Sequence, residues 1–272
     1  MLGRLALYST VFSLGVQNAF VYRWNFFIRA AFGLIPLAAT VWIWRAIFEA
    51  RGSGSSVGGY SFGEMVFYFV AVTIVESLVS PSDDEWQIAA DIREGRISSY
   101  LLRPLDYRAY RASLFLSSRA VYAGVALVPL ALVWLWLPGE MKLPADGATW
   151  ATFFVSMALA AAIQFLIAFV MATLAFWVLE ISTLVFILYS FEYFLSGRIF
   201  PIDVMPAGLR TVLMALPFPY ELYFPAAIWM GKVSGPSMWS GLAVQAGWAL
   251  ALFALSSWLW RRGVRRYGAF GG

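Results

Sequence analysis

The run Trp150–Leu179, WATFFVSMALAAAIQFLIAFVMATLAFWVL, decides the fold because it is predominantly apolar and carries no charged side chain. About 20 such residues in a helix cross the roughly 30 Å of hydrocarbon in a bilayer. Similar runs recur along the chain and predict six membrane-spanning helices. These are Ala30–Phe48, Met65–Ser80, Ala120–Leu137, Trp150–Leu179, Ile181–Leu195 and Ser240–Trp260. We therefore expect an all-α membrane protein with six transmembrane helices.

The composition agrees with a single transmembrane domain over residues 1–272. Apolar residues make up 61% of the chain, charged residues only 12%, and the mean hydropathy is +0.75. Such values are typical of a polytopic membrane domain. Cys and His are both absent from the sequence, which excludes disulfides, cysteine nucleophiles and the usual zinc or haem ligands. No metal or cofactor is therefore expected on this chain.

The N-terminal segment, residues 1–29, predicts an amphipathic helix at the membrane interface. Arg4 followed by an apolar stretch resembles a signal peptide, but no small-x-small cleavage site follows it. Ser9, Ser13 and Gln17 instead recur at four-residue spacing, as polar residues do on one face of a helix. An interfacial helix is the better interpretation.

The basic residues predict the orientation. In a six-span topology, most of the 19 Lys and Arg residues fall on one side. They are Arg4, Arg23 and Arg29 near the N-terminus, Arg93, Arg96, Arg103, Arg108, Arg111 and Arg119 after the second span, and Arg261, Arg262, Arg265 and Arg266 in the tail. The positive-inside rule places this side, with both termini, in the cytoplasm of a multi-pass cell-membrane protein. The net charge of +4 follows from the same asymmetry, so nucleic acid is not an expected partner.

A polar island follows the second predicted span, and its first part, residues 82–95, predicts a short helix. Ser82 fits as the N-cap with Glu85 as its capping-box partner, and Gly95 fits as the C-terminal stop. The apolar side of this helix consists of Trp86, Ile88, Ala89 and Ile92. About three turns are too few to cross a membrane. The helix therefore either offers an exposed apolar face to a cytoplasmic partner or lies flat on the membrane as a connector.

The segment 196–231 breaks the helical pattern on the outer side. Gly197, Pro201 and Pro206 interrupt its first part, and further prolines punctuate the apolar stretch that follows. It is too broken for a span and too apolar for a solvated loop. Short re-entrant helices entering the outer leaflet fit best, since broken backbone at that depth must be surrounded by protein or line a cavity.

Two acidic residues within predicted spans, Glu76 and Glu192, are candidates for a translocation path. Ionisable groups in hydrocarbon are costly, and they usually face a bundle interior or a cavity. A phosphate-binding loop of the G-x-x-x-x-G-K-[ST] type is absent from the sequence, so any ATP must be hydrolysed on another chain. We therefore do not expect this chain to be an enzyme.

Two stretches carry a resemblance to a known family. The run Ile88–Leu105, IAADIREGRISSYLLRPL, resembles the cytoplasmic signature of bacterial type-2 ABC exporter permeases, particularly a viologen-exporter-like subgroup. The run Phe194–Pro206, FLSGRIFPIDVMP, with LPFPY at 216–220 and FPAA at 224–227, is similar to the outer re-entrant segment of that family. With the six spans and the N-terminal helix, the resemblance covers nearly the whole chain.

The resemblance implies a permease subunit that pairs with itself or with a paralogous permease and binds two separate ABC ATPase subunits. ATP and Mg²⁺ would bind to those partners. Residues 82–95 would be the coupling helix that sits in a cleft of the ATPase, and residues 196–231 would form the outer gate. The expected cargo is an amphiphilic or lipid-like small molecule, exported along a path formed with the second permease and the membrane lipid.

Two other classes of function stay open. A membrane-embedded, Mg²⁺-dependent lipid transferase would use Asp91 and Glu94, although metal chemistry on phosphates usually needs more acidic residues than this loop supplies. A membrane anchor without transport activity would only recruit a cytoplasmic partner. Cargo-stimulated ATP hydrolysis would favour the exporter, and metal-dependent product formation by the purified chain would favour the transferase.

Overall fold

The structure, a computed structural model, describes residues 2–21, 23–52, 55–80, 84–136, 144 and 146–267. Over this part of the chain the fold is helical, with a single β-bridge between Val57 and Tyr60 and no strand. The α-helices are α1 Leu2–Val21, α2 Arg23–Arg51, α3 Phe62–Val79, α4 Asp84–Arg93, α5 Ile97–Leu101, α6 Tyr107–Trp136, α7 Gly147–Thr173, α8 Ser182–Leu195, α9 Ala207–Leu213, α10 Tyr223–Trp229 and α11 Gly235–Arg266. Short 3₁₀ helices lie at Leu174–Phe176, Ile202–Val204 and Phe218–Tyr220.

Each predicted span coincides largely with a helix, but the fourth ends early: α7 stops at Thr173 and the 3₁₀ turn after it at Phe176, short of the predicted Leu179. Leu137, the end of the third, lies outside the described residues. Among the described residues, three helical stretches are long and apolar enough to cross a membrane. They begin at Phe62, Gly147 and Gly235. Helix α8 is apolar but has only 14 residues, which is about 21 Å of helix against roughly 30 Å of hydrocarbon. A fifth span would therefore need residues after α8, in addition to α8 itself, to cross the bilayer.

Helix α7 lies at the centre of the bundle. It packs against α11, α4, α10 and α3, and its buried face includes Ala160, Ile163 and Phe169. Helix α3 is enclosed on nearly all sides, since the whole run from Met65 to Val72 is buried. Because its residues are buried on nearly all sides, α3 lacks the separate apolar and polar faces of a surface helix.

The predicted interfacial segment 1–29 is divided between two helices. Helix α1 ends at Val21, and α2 begins at Arg23 and continues into the first predicted span. Helix α1 packs along α6, where Gly15 allows close approach to the Ser117 side chain. The Tyr8 hydroxyl accepts a hydrogen bond from the Asp106 backbone at the start of α6. Contacts with α6 and with the Asp106 backbone therefore hold the N-terminal helix in place.

The Asp91 carboxylate joins three elements of the polar island. It accepts hydrogen bonds from the Tyr107 hydroxyl at 2.6 Å, from Arg96 Nε at 2.8 Å and from the Arg111 guanidinium. Burial alone would raise the pKa of Asp91, but the bonds from Tyr107 and Arg96 and the charge of Arg111 outweigh it and hold the pKa below its usual value. Asp91 therefore stays ionised at neutral pH and fixes α4 against the start of α6.

Replacing Asp91 by Asn should destabilise the protein strongly. The Arg111 side chain, only 6% exposed, would lose its counter-charge, and breaking a buried pair of this kind costs about 3–5 kcal/mol. The measurement is thermal unfolding of the purified chain in detergent. Because the folded-state pKa is lowered, the wild-type advantage should be present at neutral pH and disappear as the pH falls through that lowered value.

The matched control is Glu49→Gln. Glu49 pairs with Arg45 at 2.8 Å on an exposed helix face, with both side chains more than 60% exposed, so its loss should change stability little. Equal melting temperatures for Asp91→Asn and Glu49→Gln would contradict the assigned role of Asp91.

Candidate functional site

Two adjoining cavities open in the bundle next to α3 and α8. One has a volume of about 300 Å³ and the other about 450 Å³. Both are lined by Glu76, Ser80, Tyr193 and Arg198, so they meet at these four side chains. The smaller cavity is also lined by Glu85, Gln164, Tyr189, Glu192, Ser196 and Leu222. The predicted path residues Glu76 and Glu192 thus lie on the wall of the same cavity.

An ion pair marks the junction of the two cavities. Arg198 Nη1 lies 2.7 Å from Glu76 Oε1, and both side chains remain partly exposed to the cavity space. The Arg198 guanidinium also lies over the ring of Tyr193, 4.8 Å from its centroid. Arg198 comes from the segment after α8, and Glu76 comes from the last turns of α3. This contact therefore connects the re-entrant segment to the bundle.

A second polar cluster lies deeper, where Gln164 bridges two carboxylates. Its amide nitrogen donates to Glu192 at 2.8 Å and to Glu221 at 3.0 Å. Gln164 and Glu221 are fully buried, 1% and 0% exposed. Within the described part of the chain, Gln164 Oε1 and Ser196 Oγ have no hydrogen-bond partner, although both are buried and both residues line the smaller cavity. Unsatisfied oxygens at such a position suit a bound molecule with hydrogen-bond donors.

Sequence reasoning missed Gln164, Ser196, Arg198 and Glu221 as cavity residues. Glu221 is the only acidic residue between Pro206 and Met230, and Gln164 stands alone among apolar neighbours in α7. The rule that flagged Glu76 and Glu192, that intramembrane polar residues face an interior or a cavity, applies equally to these two. Their convergence on Glu192 depends on how α7, α8 and the segment after α8 pack together.

The smaller cavity is rich in carboxyl groups. Glu76, Glu85 and Glu192 line the smaller cavity and Glu221 adjoins it through Gln164, whereas Arg198 is the cation on the lining. Glu85 of α4 and Tyr189 of α8 both lie on this lining, so α4 reaches the cavity wall. The predicted capping partner of Glu85, Ser82, lies outside the described residues. The buried position of Glu85 shows that it is more than a surface cap.

The segment 196–231 turns sharply at Gly197. Its φ of +88° lies in the left-handed region that favours glycine, and it directly follows the end of α8. The Gly197 carbonyl accepts a hydrogen bond of 2.6 Å from the buried Tyr68 hydroxyl of α3. Pro201 immediately precedes the 3₁₀ helix at Ile202–Val204, and Pro206 immediately precedes α9. The three predicted breaks therefore coincide with observed changes of direction.

Asp203 fastens the same segment to its surroundings. Its carboxylate accepts hydrogen bonds of 2.8 Å from the Tyr60 and Tyr223 hydroxyls and pairs with Arg210 at 2.9 Å. Helix α10, which follows, is buried along its whole length against α7 and α3. The region 196–231 is thus built from short helices packed into the bundle.

The predicted coupling helix is present as α4, but its apolar face points inward. Ile88 and Ala89 are 0% exposed and Ile92 is 3% exposed, because this face packs on α7 and the 3₁₀ turn after it. The expectation that these residues form an exposed docking face is therefore wrong. Trp86 is partly buried against the same core. Gly95 has a φ of +79°, which confirms the predicted left-handed stop.

The exposed apolar side chains of the polar island come later, at the end of α5. Leu102 is 88% exposed and Leu101 is 43% exposed. Around them the surface is charged, with Arg93, Glu94, Arg96 and Arg103 all exposed. An apolar projection with a charged rim is typical of a protein interaction site. The apolar pattern of α4 gave no indication of an interaction site at Leu101 and Leu102.

The polar island and the end of α11 lie at the same end of the bundle. The Tyr267 hydroxyl is 3.1 Å from Ser98 Oγ of α5, and the Arg108 guanidinium hydrogen-bonds Ser256 and Ser257 of α11. The basic residues of the second loop and those of the tail therefore gather on one side of the protein, as the orientation argument requires.

The two acidic residues assigned to a possible transferase are already engaged. Both Asp91 oxygens accept bonds from Arg96, Tyr107 and Arg111, and Glu94 pairs with Arg96. Since these contacts occupy the oxygens that a Mg²⁺ ion would need, the pair does not fit a catalytic metal centre. The structure therefore weakens the argument for transferase chemistry at this place.

The helical architecture and the long apolar helices define a membrane protein. The family described as ABC-2 family transporter protein matches residues 34–271, nearly the whole chain. The chain belongs to this family of transporter membrane proteins, whose members work with ATP-binding subunits. No curated protein matches the chain.

Replacing Gly197 by Ala should destabilise the outer segment. A Cβ there would lie 2.7 Å from both Tyr223 Cβ and the Tyr68 hydroxyl, and the left-handed backbone adds about 1–2 kcal/mol of strain. We expect faster proteolysis within 196–231 and a lower melting temperature in detergent.

Gly208→Ala is the matched control, because Gly208 lies in α9 with open space around its Cβ position. A Gly197→Ala protein that melts and resists protease like Gly208→Ala would show that the turn is not constrained as described.

Proposed function

We propose that this chain is the permease subunit of an ATP-driven exporter for an amphiphilic or lipid-like small molecule. The observation that carries the proposal is the polar cavity enclosed among α3, α7, α8 and the re-entrant segment, in a protein of a transporter family. ATP and Mg²⁺ would bind to two ATPase subunits on separate chains. A second permease, the same or a paralogue, would complete the path.

In this proposal six helices of the chain span the cell membrane, and both termini lie in the cytoplasm. The gathering of the second-loop and tail arginines at one end supports that orientation. Exposed apolar side chains along α8 support contact with lipid or with the second permease. They include Phe186 at 73%, Phe191 at 59% and Ile187 at 47% exposure. The outer segment around Gly197, Pro201 and Pro206 would be the gate, released when the hydrogen bonds from Tyr68 to Gly197 and from Tyr60 to Asp203 break.

The cavity favours a cargo that carries a positively charged group. Three carboxylates on the wall and a fourth behind it outnumber the single guanidinium of Arg198. A cation in this place would offset charge that is otherwise costly to keep in a low-dielectric interior. The unpartnered Ser196 Oγ and Gln164 Oε1 could accept its hydrogen bonds. Tyr189 and Tyr193 supply aromatic surface for the apolar part of such a molecule.

Coupling to the ATPase would pass through α4. The exposed Leu101–Leu102 ridge would contact the ATPase, and the buried face with Ile88, Ala89 and Ile92 would carry its displacement to α7. Glu85 and Trp86 extend this contact towards α8. Ser82 would cap the start of the helix, and Gly95 allows the chain to turn into α5. The part of the helix first assigned to docking thus becomes the part that transmits the movement.

Replacing Leu102 by Asp should weaken ATPase binding without unfolding the permease. The side chain is 88% exposed, so the folded chain tolerates the charge, whereas a central apolar contact usually costs an interface tenfold or more in affinity, on the order of 2 kcal/mol. The measurement is the amount of co-expressed ATPase subunit that co-purifies with the tagged permease, with its ATP hydrolysis.

Two further variants serve as controls for the Leu102→Asp experiment. Ser56→Asp, at an exposed position before the Val57–Tyr60 turn, should retain the ATPase. Ile92→Asp should unfold the permease itself, because Ile92 is in the core. Normal ATPase binding by Leu102→Asp would exclude the ridge as the docking site.

The double change Glu192→Gln and Glu221→Gln should reduce transport of a cationic amphiphile. It keeps the shape of the cluster around Gln164 but removes two groups that can carry negative charge, so ATP-dependent uptake of ethidium into inverted vesicles should fall about tenfold. ATPase co-purification should not change, and Glu49→Gln should transport normally.

Three results would count against parts of the proposal. Absence of ATP-dependent ethidium uptake by wild type would argue for an anchor without transport activity. Equal uptake by wild type and the double variant would remove the cationic cargo but leave the permease role. Metal-dependent lipid products formed by the purified chain would favour a transferase.

A further inference from the structure

The last turns of α11 carry three arginines around a surface cavity of about 580 Å³. Arg261, Arg262 and Arg265 line it on one side. The other lining residues are Phe253, Ala254, Ser257 and Trp258. This cavity lies on the outside of the bundle and shares no lining residue with the two interior cavities.

Among the described residues, no acidic side chain pairs with the arginines that line this cavity, and no Asp or Glu is part of its lining. Arg108 lies close by: its guanidinium binds Ser257 Oγ at 2.6 Å and lies over the Phe253 ring, 4.1 Å from its centroid, and Asp106 acts on the same guanidinium. The three arginines that line the cavity together favour binding of an anion with more than one oxygen.

The arrangement along the helix is graded from apolar to cationic. Trp258, Arg261, Arg262 and Arg265 follow the three- and four-residue spacing of one helical face. The Arg262 guanidinium lies over the Trp258 ring, 4.4 Å from its centroid, which holds both side chains in place. Phe253, half-exposed, lies on the bilayer side of this pair, about 18 Å of helix from Arg265. A Trp between an apolar surface and arginines is the pattern of a membrane interface.

We propose that this cavity binds an anionic phospholipid of the leaflet facing the arginine-rich end. The phosphate would lie between Arg261, Arg262 and Arg265, and an acyl chain would follow Phe253 and Ala254. A soluble phosphate compound would use the arginines but leave the aromatic and apolar half of the cavity empty. An acidic protein surface would not match an apolar path that continues along a membrane-crossing helix. The proposal does not depend on any transport activity.

The test is lipid retention by the full-length chain in mixed micelles. Phosphatidylglycerol and phosphatidylcholine with the same acyl chains are added in equal amounts, and bound lipids are counted by native mass spectrometry. Wild type should retain phosphatidylglycerol in preference to phosphatidylcholine. Arg262→Gln should lower that retention about fivefold, as expected for one basic side chain near an anionic lipid.

Arg266→Gln is the matched control, because Arg266 is a basic residue of the same helix end that does not line the cavity. It should retain phosphatidylglycerol like wild type. Arg262→Lys keeps the charge and should lose less than Arg262→Gln. If Arg262→Gln does not fold, Arg261→Gln and Arg265→Gln carry the same expectation.

Three outcomes would overturn the proposal. Equal losses for Arg262→Gln and Arg266→Gln would mean diffuse charge attraction without a site. Displacement of phosphatidylglycerol by millimolar inorganic phosphate would assign the cavity to a soluble anion. Unchanged lipid retention together with loss of the co-purifying ATPase in Arg262→Gln would assign it to a protein contact.

Discussion

A polar group inside hydrocarbon must find a partner within the protein, and much of this structure follows from that constraint. The exposed carbonyls at the end of α3, at Ser77 and Ser80, accept bonds from the Arg119 guanidinium. Gln245 of α11 is fully buried and binds both the Ser156 side chain and the backbone carbonyls of Ser156 and Tyr220. These side chains connect neighbouring helices where apolar packing alone would leave their order undetermined.

The same constraint explains why the cavity and the re-entrant segment occur together. A chain that breaks its helix at Gly197 exposes backbone groups, and Tyr68 and Gln245 supply partners for two of them, at Gly197 and Tyr220. Next to these polar side chains lie cavity space and a buried side-chain oxygen without a hydrogen-bond partner, Ser196 Oγ. A polar site in a membrane interior therefore arises where regular helix ends, as it does at the broken helices of other membrane proteins.

The polar island connects the inside of the bundle to its surface. Its first helix, α4, is anchored by Asp91 to α6 and by Ile88 and Ile92 to the core. The chain then continues into α5, at whose end the Leu102 side chain is exposed on the surface. Because protein cores are close-packed, a push on the exposed part cannot be absorbed locally and must move α7 or α8, where the cavity residues Gln164 and Glu192 lie. Under the proposed function, this connection would be the route between the ATPase and the cargo site.

The sequence by itself determined the helical class, the positions of the apolar spans and the turns at Gly95 and Gly197. These depend on local properties: hydrophobic run length, proline, and the backbone freedom of glycine. It also identified Glu76 and Glu192 as interior residues, because a charge within an apolar run has few other places to lie. Only the tertiary structure decided which side of α4 is covered, since a periodic apolar face shows that something packs there but not what. The meeting of Gln164, Glu192 and Glu221, three residues far apart in sequence, was likewise decided by the packing of α7 against α8 and the re-entrant segment, which no local pattern contains.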